Sequence, residues 1–249
     1  VQNFNVYGNE RYVHQYISEE YPESEINFDL NKIKLITIDI EVAAENGFPD
    51  VFNVAEELLL ITIQDYATKR IITFGSRPYV KNPQRKNHIY IDCHSEEGLI
   101  TRFVDWWTKN TPEVITGWNC EMYDIPYLMG RIDRLMGEKF AKRMSPWGIC
   151  RRNEITIQGR PNIVYDLAGI SVIDYLDLYK KSPATPNQES FRLDHIAMME
   201  LGQKKLDHSE YDTFRDFYTK NWQKFVDYNV VDVELVDRLE DKLKLIDLC

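Results

Sequence analysis

Residues 34–42 read KLITIDIEV, and the way this stretch is read decides how the rest of the chain is read. Apolar residues dominate it, as in a strand built to be hidden, yet Asp39 and Glu41 sit near its end with one residue between them. Side chains on a strand alternate between faces, so Ile36, Ile38, Ile40 and Val42 share one face and Thr37, Asp39 and Glu41 the other. An amphipathic strand with its polar face in water is one reading. The next strand, LLLITIQ from residue 58, is apolar on both faces, which predicts a sheet covered on both sides. A covered pair of carboxylates repels itself and loses hydration unless a cation neutralises it.

Outward from this strand, LLLITIQDY (58–66) and KRIITFG (69–75) predict two more strands joined by a short polar turn, completing a meander. A basic loop with Arg77, Lys81, Arg85 and Lys86 leads to a short strand, HIYIDC (88–93). SEEGLITRFVDWWTKN (95–110) predicts a helix with Ser95 as N-cap and acids in its first turn. EVITGW (113–118) is a strand, and a helix is expected from about Asp124 to Gly137. NEITIQGRPNIVYDL (153–167) alternates on both sides of a Gly/Pro turn, as a β-hairpin does. SVIDYLDLYKK (171–181) fits a strand or a helix. FRLDHIAMMELG (191–202) is a helix ending at Gly202, and a last long helix is expected from about Arg215 to the end. Residues 1–32 read as irregular and acidic. The order predicts a mixed α/β domain whose helices cover a central sheet.

The 249 residues are 43% hydrophobic and include 15 Tyr, 11 Phe and 5 Trp, which excludes a disordered chain and supplies a sizeable core. No apolar run reaches the roughly 20 residues that span a bilayer, so no membrane role is expected. The start, VQNFNVYGNE, has neither the basic nor the apolar segment of a signal peptide. Cys93, Cys120, Cys150 and Cys249 show no close pairing, which suggests reduced thiols in a cytoplasmic setting and argues against a zinc site. The chain opens on Val and stops within a helical pattern, and so reads as part of something longer. The net charge of −10 speaks against a nucleic-acid binder. Its distribution does not: residues 1–60 hold 12 acids and 3 bases, but residues 69–160 hold 16 Lys and Arg against 10 Asp and Glu.

Two further carboxylates stand out. Phe225, Tyr228, Asp232, Leu235, Val236 and Leu239 recur at three- and four-residue spacing, so Asp232 interrupts the stripe that should face the core, one turn after Tyr228. Asp237, Glu240 and Asp241 already make the helix soluble. A buried Asp bonded to a backbone group or an Arg would also account for Asp232. In TGWNCEMYDIPYL (116–128), Asp124 sits where strand gives way to helix, a position where Asp often serves as N-cap.

Taken in order, DIE (39–41), NCEMYD (119–124) and YNVVD (228–232) match D-x-E, N-x(3)-[FY]-D and Y-x(3)-D, the three motifs of the DEDD exonucleases in their tyrosine form. The histidine form would place His where this chain has Asp227. With ITIDIEV…NGFPD, ISVIDYLDLYKK and SFRLDHIA added, residues 28–247 resemble the proofreading domain of family B replicative DNA polymerases of the tailed-bacteriophage type.

This resemblance implies a ribonuclease H-like fold: a mixed central β-sheet with helices on both sides and an inserted β-hairpin. It implies that residues 29–249 form the 3′–5′ exonuclease domain, that residues 1–28 are the remnant of an upstream domain or linker, and that a polymerase domain belongs to the same full-length chain. The cofactors it implies are two divalent metal ions, Mg²⁺ or Mn²⁺, held by Asp39, Glu41, Asp124 and Asp232. In that scheme Asp39 bridges the ions, Glu41 and Asp232 help hold the one that activates water, Asp124 supports the second, directly or through water, and the Tyr228 hydroxyl orients the attacking water. Phe48, in NGFP, would stack on terminal bases, or else tuck against the domain. Asn119 and Tyr123 would shape the groove, and the hairpin would help separate primer from template or be an ordinary surface feature. The arginines and lysines of the 77–86 loop would lie near a phosphate path or be solvated. The five histidines show no ligand spacing and read as structural or surface residues. The implied partners are the single-stranded 3′ end of DNA, the polymerase domain, and a sliding clamp engaged through regions outside this chain. The implied location is a host bacterial cytoplasm. A free-standing ribonuclease of the same motif class, or an inactive nucleic-acid-binding domain, is the alternative.

Overall fold

In the computed structural model, which describes residues 12–21, 29–45 and 47–247, β1 (Leu35–Val42) lies inside a six-stranded sheet. β2 (Leu58–Asp65) and β3 (Ile71–Gly75) follow it in an antiparallel meander, and β4 (His88–Asp92) runs parallel to β3 at one edge. On the other side of β1 come β5 (Val114–Gly117) and β8 (Ser171–Asp174), both parallel to it, giving the order β4-β3-β2-β1-β5-β8. Between the last two strands, β6 (Cys150–Ile157) and β7 (Arg160–Leu167) form a separate hairpin, turned by Gln158 and Gly159, both at positive φ.

Eight helices accompany the strands among the described residues: α1 (Tyr12–Glu20), α2 (Glu96–Lys109), α3 (Asp124–Met136), α4 (Glu138–Ala141), α5 (Tyr175–Lys181), α6 (Leu193–Leu201), α7 (Phe214–Lys220) and α8 (Trp222–Leu243). Ile36, Ile38, Ile40 and Val42 point to one face of the sheet and pack with Leu99, Phe103, Ile125 and Leu128 of α2 and α3. Leu35, Leu59, Leu60 and Ile71 point to the other, where Phe225, Val226, Val230, Leu235 and Val236 of α8 cover them. Each such side chain contributes about 1.5–3 kcal/mol on full burial, so both faces are driven shut. Asp39 and Glu41 are on the α8 face. Their face is therefore not in water, and the amphipathic reading of β1 does not hold.

Most predicted elements are found where expected. Ser95 caps α2 by accepting from Gly98 N–H, and Gly202 ends α6 in the left-handed conformation. The stretch 171–181 is both strand and helix: β8 ends at Asp174, whose carboxylate caps α5.

Three expectations need correction. The last helix is not continuous from Arg215 to the end: Asn221 leaves helical geometry at φ −141° and its side chain accepts from Lys224 N–H to start α8 afresh, and α8 closes at Leu243 with Lys244 in the left-handed conformation. The lead-in is not wholly irregular, since α1 lies within it; residues 1–11 and 22–28, like Cys249, are outside the described residues. Asp237 and Glu240 are not on the exterior. Asp237 is buried against the Lys69 ammonium, and Glu240 accepts from the Tyr175 hydroxyl and Ile246 N–H.

Candidate active site

The parallel crossover from β5 to α3 and the crossing of α8 over β1 bring the three motifs to one place. β5 ends at Gly117, where any Cβ would lie 2.5 Å from the Ile38 carbonyl oxygen, so only glycine lets the chain pass this close to β1. The turn that follows carries Asn119 at φ +66°. The Asp174 carboxylate holds this turn, accepting from Asn119 N–H (3.1 Å), Glu121 N–H (3.0 Å) and Leu176 N–H (2.9 Å). Asp124 opens α3 but caps nothing there. Its Oδ1 accepts instead from Ile40 N–H at 2.9 Å, between Asp39 and Glu41.

On the other side, α8 lowers Tyr228, Asn229 and Asp232 onto β1. One carboxylate oxygen from each of Asp39, Glu41 and Asp232 lies within 4.8 Å of the others. Two unit charges at that distance repel by about 3 kcal/mol at an effective dielectric near 20. Burial, reinforced by the mutual repulsion of the acids, raises Asp39 and Glu41 well above the ordinary carboxylate range. Burial likewise pushes Asp124 up to about 7, although the Ile40 N–H bond opposes this. Asp232 is raised by burial and restrained by Lys205. Its Oδ1 is buried and meets no partner. A cluster of hard oxygen donors with an unsatisfied lone pair and surplus negative charge has the chemistry of a site for a hard divalent cation.

Two residues at the centre were missed by sequence reasoning. Lys205, from the loop after α6, places its Nζ 2.5 Å from Asp232 Oδ2 and 3.4 Å from the Tyr228 hydroxyl. Its burial opposes protonation, but Asp232, then Tyr228 and Asp39, hold it charged well above the ordinary lysine range. It sits in a polar loop, GQKKLDHSEYD, without periodicity, so nothing in the sequence marks it. Asn229 donates to Asp39 Oδ2 at 2.5 Å. It did leave a signal: it stands four residues after Phe225 and three before Asp232, in the same buried stripe.

Tyr228 is held by aromatic neighbours, with the His208 ring 5.4 Å away and edge-on and Phe217 at 5.7 Å. His208 is thus part of the site wall. Burial raises the Tyr228 hydroxyl far above its usual value, so it stays protonated at neutral pH. Phe48 is 85% exposed and leans on Tyr123 at 5.2 Å, so it is not tucked into the domain. Two clefts meet here. One, of 890 Å³, is walled by Trp118, Asn119, Arg192, Lys204, Lys205 and Tyr228 and reaches Asp39. The other, of 790 Å³, runs from Phe48 and Tyr123 to Ile157, Gln158 and Arg160 at the hairpin tip, and shares Asn119 with the first. The 77–86 loop lies elsewhere: Arg85 pairs with Asp227 and Glu234, and Arg77 stacks on Trp222.

With this geometry in view, the comparisons decide the family. Residues 8–196 match the model of the family B DNA polymerase exonuclease domain. The chain belongs to that family. It is 33% identical to the DNA-directed DNA polymerase of Escherichia phage RB69 and 30% identical to that of Enterobacteria phage T4, each over 94% of this chain. A DNA polymerase of Bombyx mori nuclear polyhedrosis virus is 29% identical over 61% of it. The chain spans about 28% of the length of the two phage relatives. The mixed sheet, with helices on both faces, is the ribonuclease H-like fold expected of a family B exonuclease domain. Among the described residues, no helix is long and apolar enough to cross a membrane.

Proposed function

We propose that this chain is the 3′–5′ proofreading exonuclease part of a family B DNA polymerase, hydrolysing terminal nucleotides from the single-stranded 3′ end of DNA. The observation that carries this reading is the convergence of Asp39, Glu41 and Asp232 within 4.8 Å, with Asp124 on the adjoining backbone and Tyr228 above. Holding three carboxylates together, Glu41 and Asp232 buried and Asp39 half-buried, is costly in an apo protein and makes sense if cations belong among them.

The donor set fits two Mg²⁺ or Mn²⁺ ions, with Asp39, Glu41 and Asp232 as the ligands of one site and Asp39 with Asp124 serving the second. When bound, such ions supply a water of lowered pKa and neutralise charge on the attacked phosphate and its leaving oxygen. The chain's own groups do the rest. The protonated Tyr228 hydroxyl donates or accepts a hydrogen bond and so orients the attacking water, without serving as a base. Lys205 carries a positive charge beside Tyr228 and Asp232, from where it would turn to the phosphate, on which negative charge builds up, once an ion takes its place at Asp232. Phe48 and Tyr123 offer π faces to unstacked terminal bases, which suits single strands of any sequence. The hairpin tip flanks the same cleft and would keep the template strand out. A polymerase region of a longer chain would deliver the frayed end. The free thiols of Cys93, Cys120 and Cys150 and the phage relatives fit a host bacterial cytoplasm.

The test is digestion of matched 5′-labelled DNA and RNA single strands with Mg²⁺ or Mn²⁺. The reading predicts a DNA ladder shortening from the 3′ end, release of nucleoside 5′-monophosphates, and arrest by chelator. Preferential RNA digestion would favour the ribonuclease reading. Metal binding without turnover would favour the inactive one.

A further inference from the structure

Asn229 is the one fully buried amide at the centre of the site, on a helix stripe whose other inward members are Phe225, Asp232 and Val236. A hydrocarbon is the default at such a position, and an amide is kept only where its donors are used. Its Nδ2 donates to Asp39 Oδ2 at 2.5 Å, and the amide lies beside Glu41, where it opposes the rise that burial imposes on that carboxyl. The amide therefore ties α8 to Asp39, one of the two carboxylates that stand two residues apart on the same face of β1. Its Oδ1 is buried with no partner. The amide cannot be turned around, because that would aim its carbonyl oxygen at the Asp39 carboxylate and lose the one hydrogen bond it makes there.

We propose that Asn229 is a positioning residue that fixes the orientation of Asp39, beside Glu41, and thereby sets the affinity of the site for its divalent cation. The inference rests on the metal-site reading above. An amide suits this task better than a cation. A lysine or arginine would neutralise the carboxylates and compete with the metal, as Lys205 does at Asp232. A neutral N–H occupies one lone pair on Asp39, locks its rotamer, and leaves the remaining lone pairs and the full charge for the ion. Asp232, by contrast, is held by an ammonium that must give way. The site thus has a fixed half on β1, set by Asn229, and an exchangeable half on α8.

The measurement is Mn²⁺ affinity by calorimetry, with paramagnetic resonance of bound Mn²⁺, for the wild type, Asn229→Leu, Asn229→Ala and Asn229→Ser, each checked for folding by its near-ultraviolet spectrum. Leu matches the volume without donors, Ala removes the donors without adding methyl groups, and Ser retains one donor. We expect Leu and Ala to weaken Mn²⁺ binding by about 10- to 100-fold, the range typical of lost outer-shell partners, with Ser in between. The Mn²⁺ concentration at half-maximal hydrolysis should move by the same factor, whereas a merely structural role would lower the active fraction and leave that midpoint unmoved. A folded Leu or Ala variant with wild-type Mn²⁺ affinity and midpoint would overturn the assignment. Should Leu not fold, Ala decides on its own. A folded wild type that binds no Mn²⁺ would instead sink the metal-site reading on which the assignment stands.

Discussion

At the scale of single residues, the site sets four carboxylates, Asp39, Glu41, Asp124 and Asp232, against one ammonium, that of Lys205. Tyr228→Phe removes only the hydroxyl while the ring keeps its place between His208 and Phe217. We expect turnover to fall by about 10- to 100-fold through loss of water orientation, with Mn²⁺ affinity unchanged in calorimetry. Lys205→Met removes the charge at nearly constant volume. Turnover should fall roughly 100-fold, because the phosphate loses this cation, while Mn²⁺ binding stays equal or tightens, because Asp232 is freed. Equal losses of both would mark Lys205 as structural. The two motif acids of β1 and the Asp232 break in the helical stripe were legible because burial makes a charged residue conspicuous against a periodic background. Lys205 was not, because an irregular polar loop offers no background against which one lysine stands out. The role of Asp124 was half legible: its place at the strand–helix junction suggested a cap, and only the fold shows it reaching Ile40 N–H across the sheet.

At the scale of elements, the site depends on where α8 begins. Asn221 separates α7 from α8 and caps the latter through Lys224 N–H, so that α8 can cross β1 at its own angle. Asn221→Ala should cost about 1 kcal/mol and lower the melting temperature by about 2–4 °C. An unchanged melting curve would show that the tertiary packing of α8 fixes its start without the cap. The break was hidden in the sequence because the apolar spacing continues through Phe217, Phe225 and Val226 without interruption. The meander, the hairpin and α2 were legible for the opposite reason: alternation, a Gly-containing turn and a Ser cap are local signals that tertiary packing did not override. Whether 171–181 is strand or helix was undecidable by period because it is four residues of one followed by seven of the other.

At the scale of the whole molecule, the sheet closes on both faces over a pocket of negative charge that folding alone does not relieve. The acids of the cluster take up protons more readily in the folded than in the unfolded chain. For Asp124 the window runs from its ordinary 3.8 to about 7. A raised carboxyl pKa means that the folded state binds more protons there, so this contribution to stability falls as pH rises through the window. Metal competes with those protons. The rise in melting temperature on adding Mn²⁺ should therefore be largest above pH 7 and shrink towards pH 5, as scanning fluorimetry across pH would show; a gain independent of pH would mean that the ion binds elsewhere. The measurement that bears most directly on the account is the digestion of 5′-labelled single-stranded DNA in Mn²⁺ by the wild type beside Asp39→Ala/Glu41→Ala. The account predicts a ladder shortening from the 3′ end with the wild type, and at least about a 1,000-fold slower reaction with the double variant. Equal digestion by the two folded proteins would contradict it, since the activity would then not belong to the acids of β1.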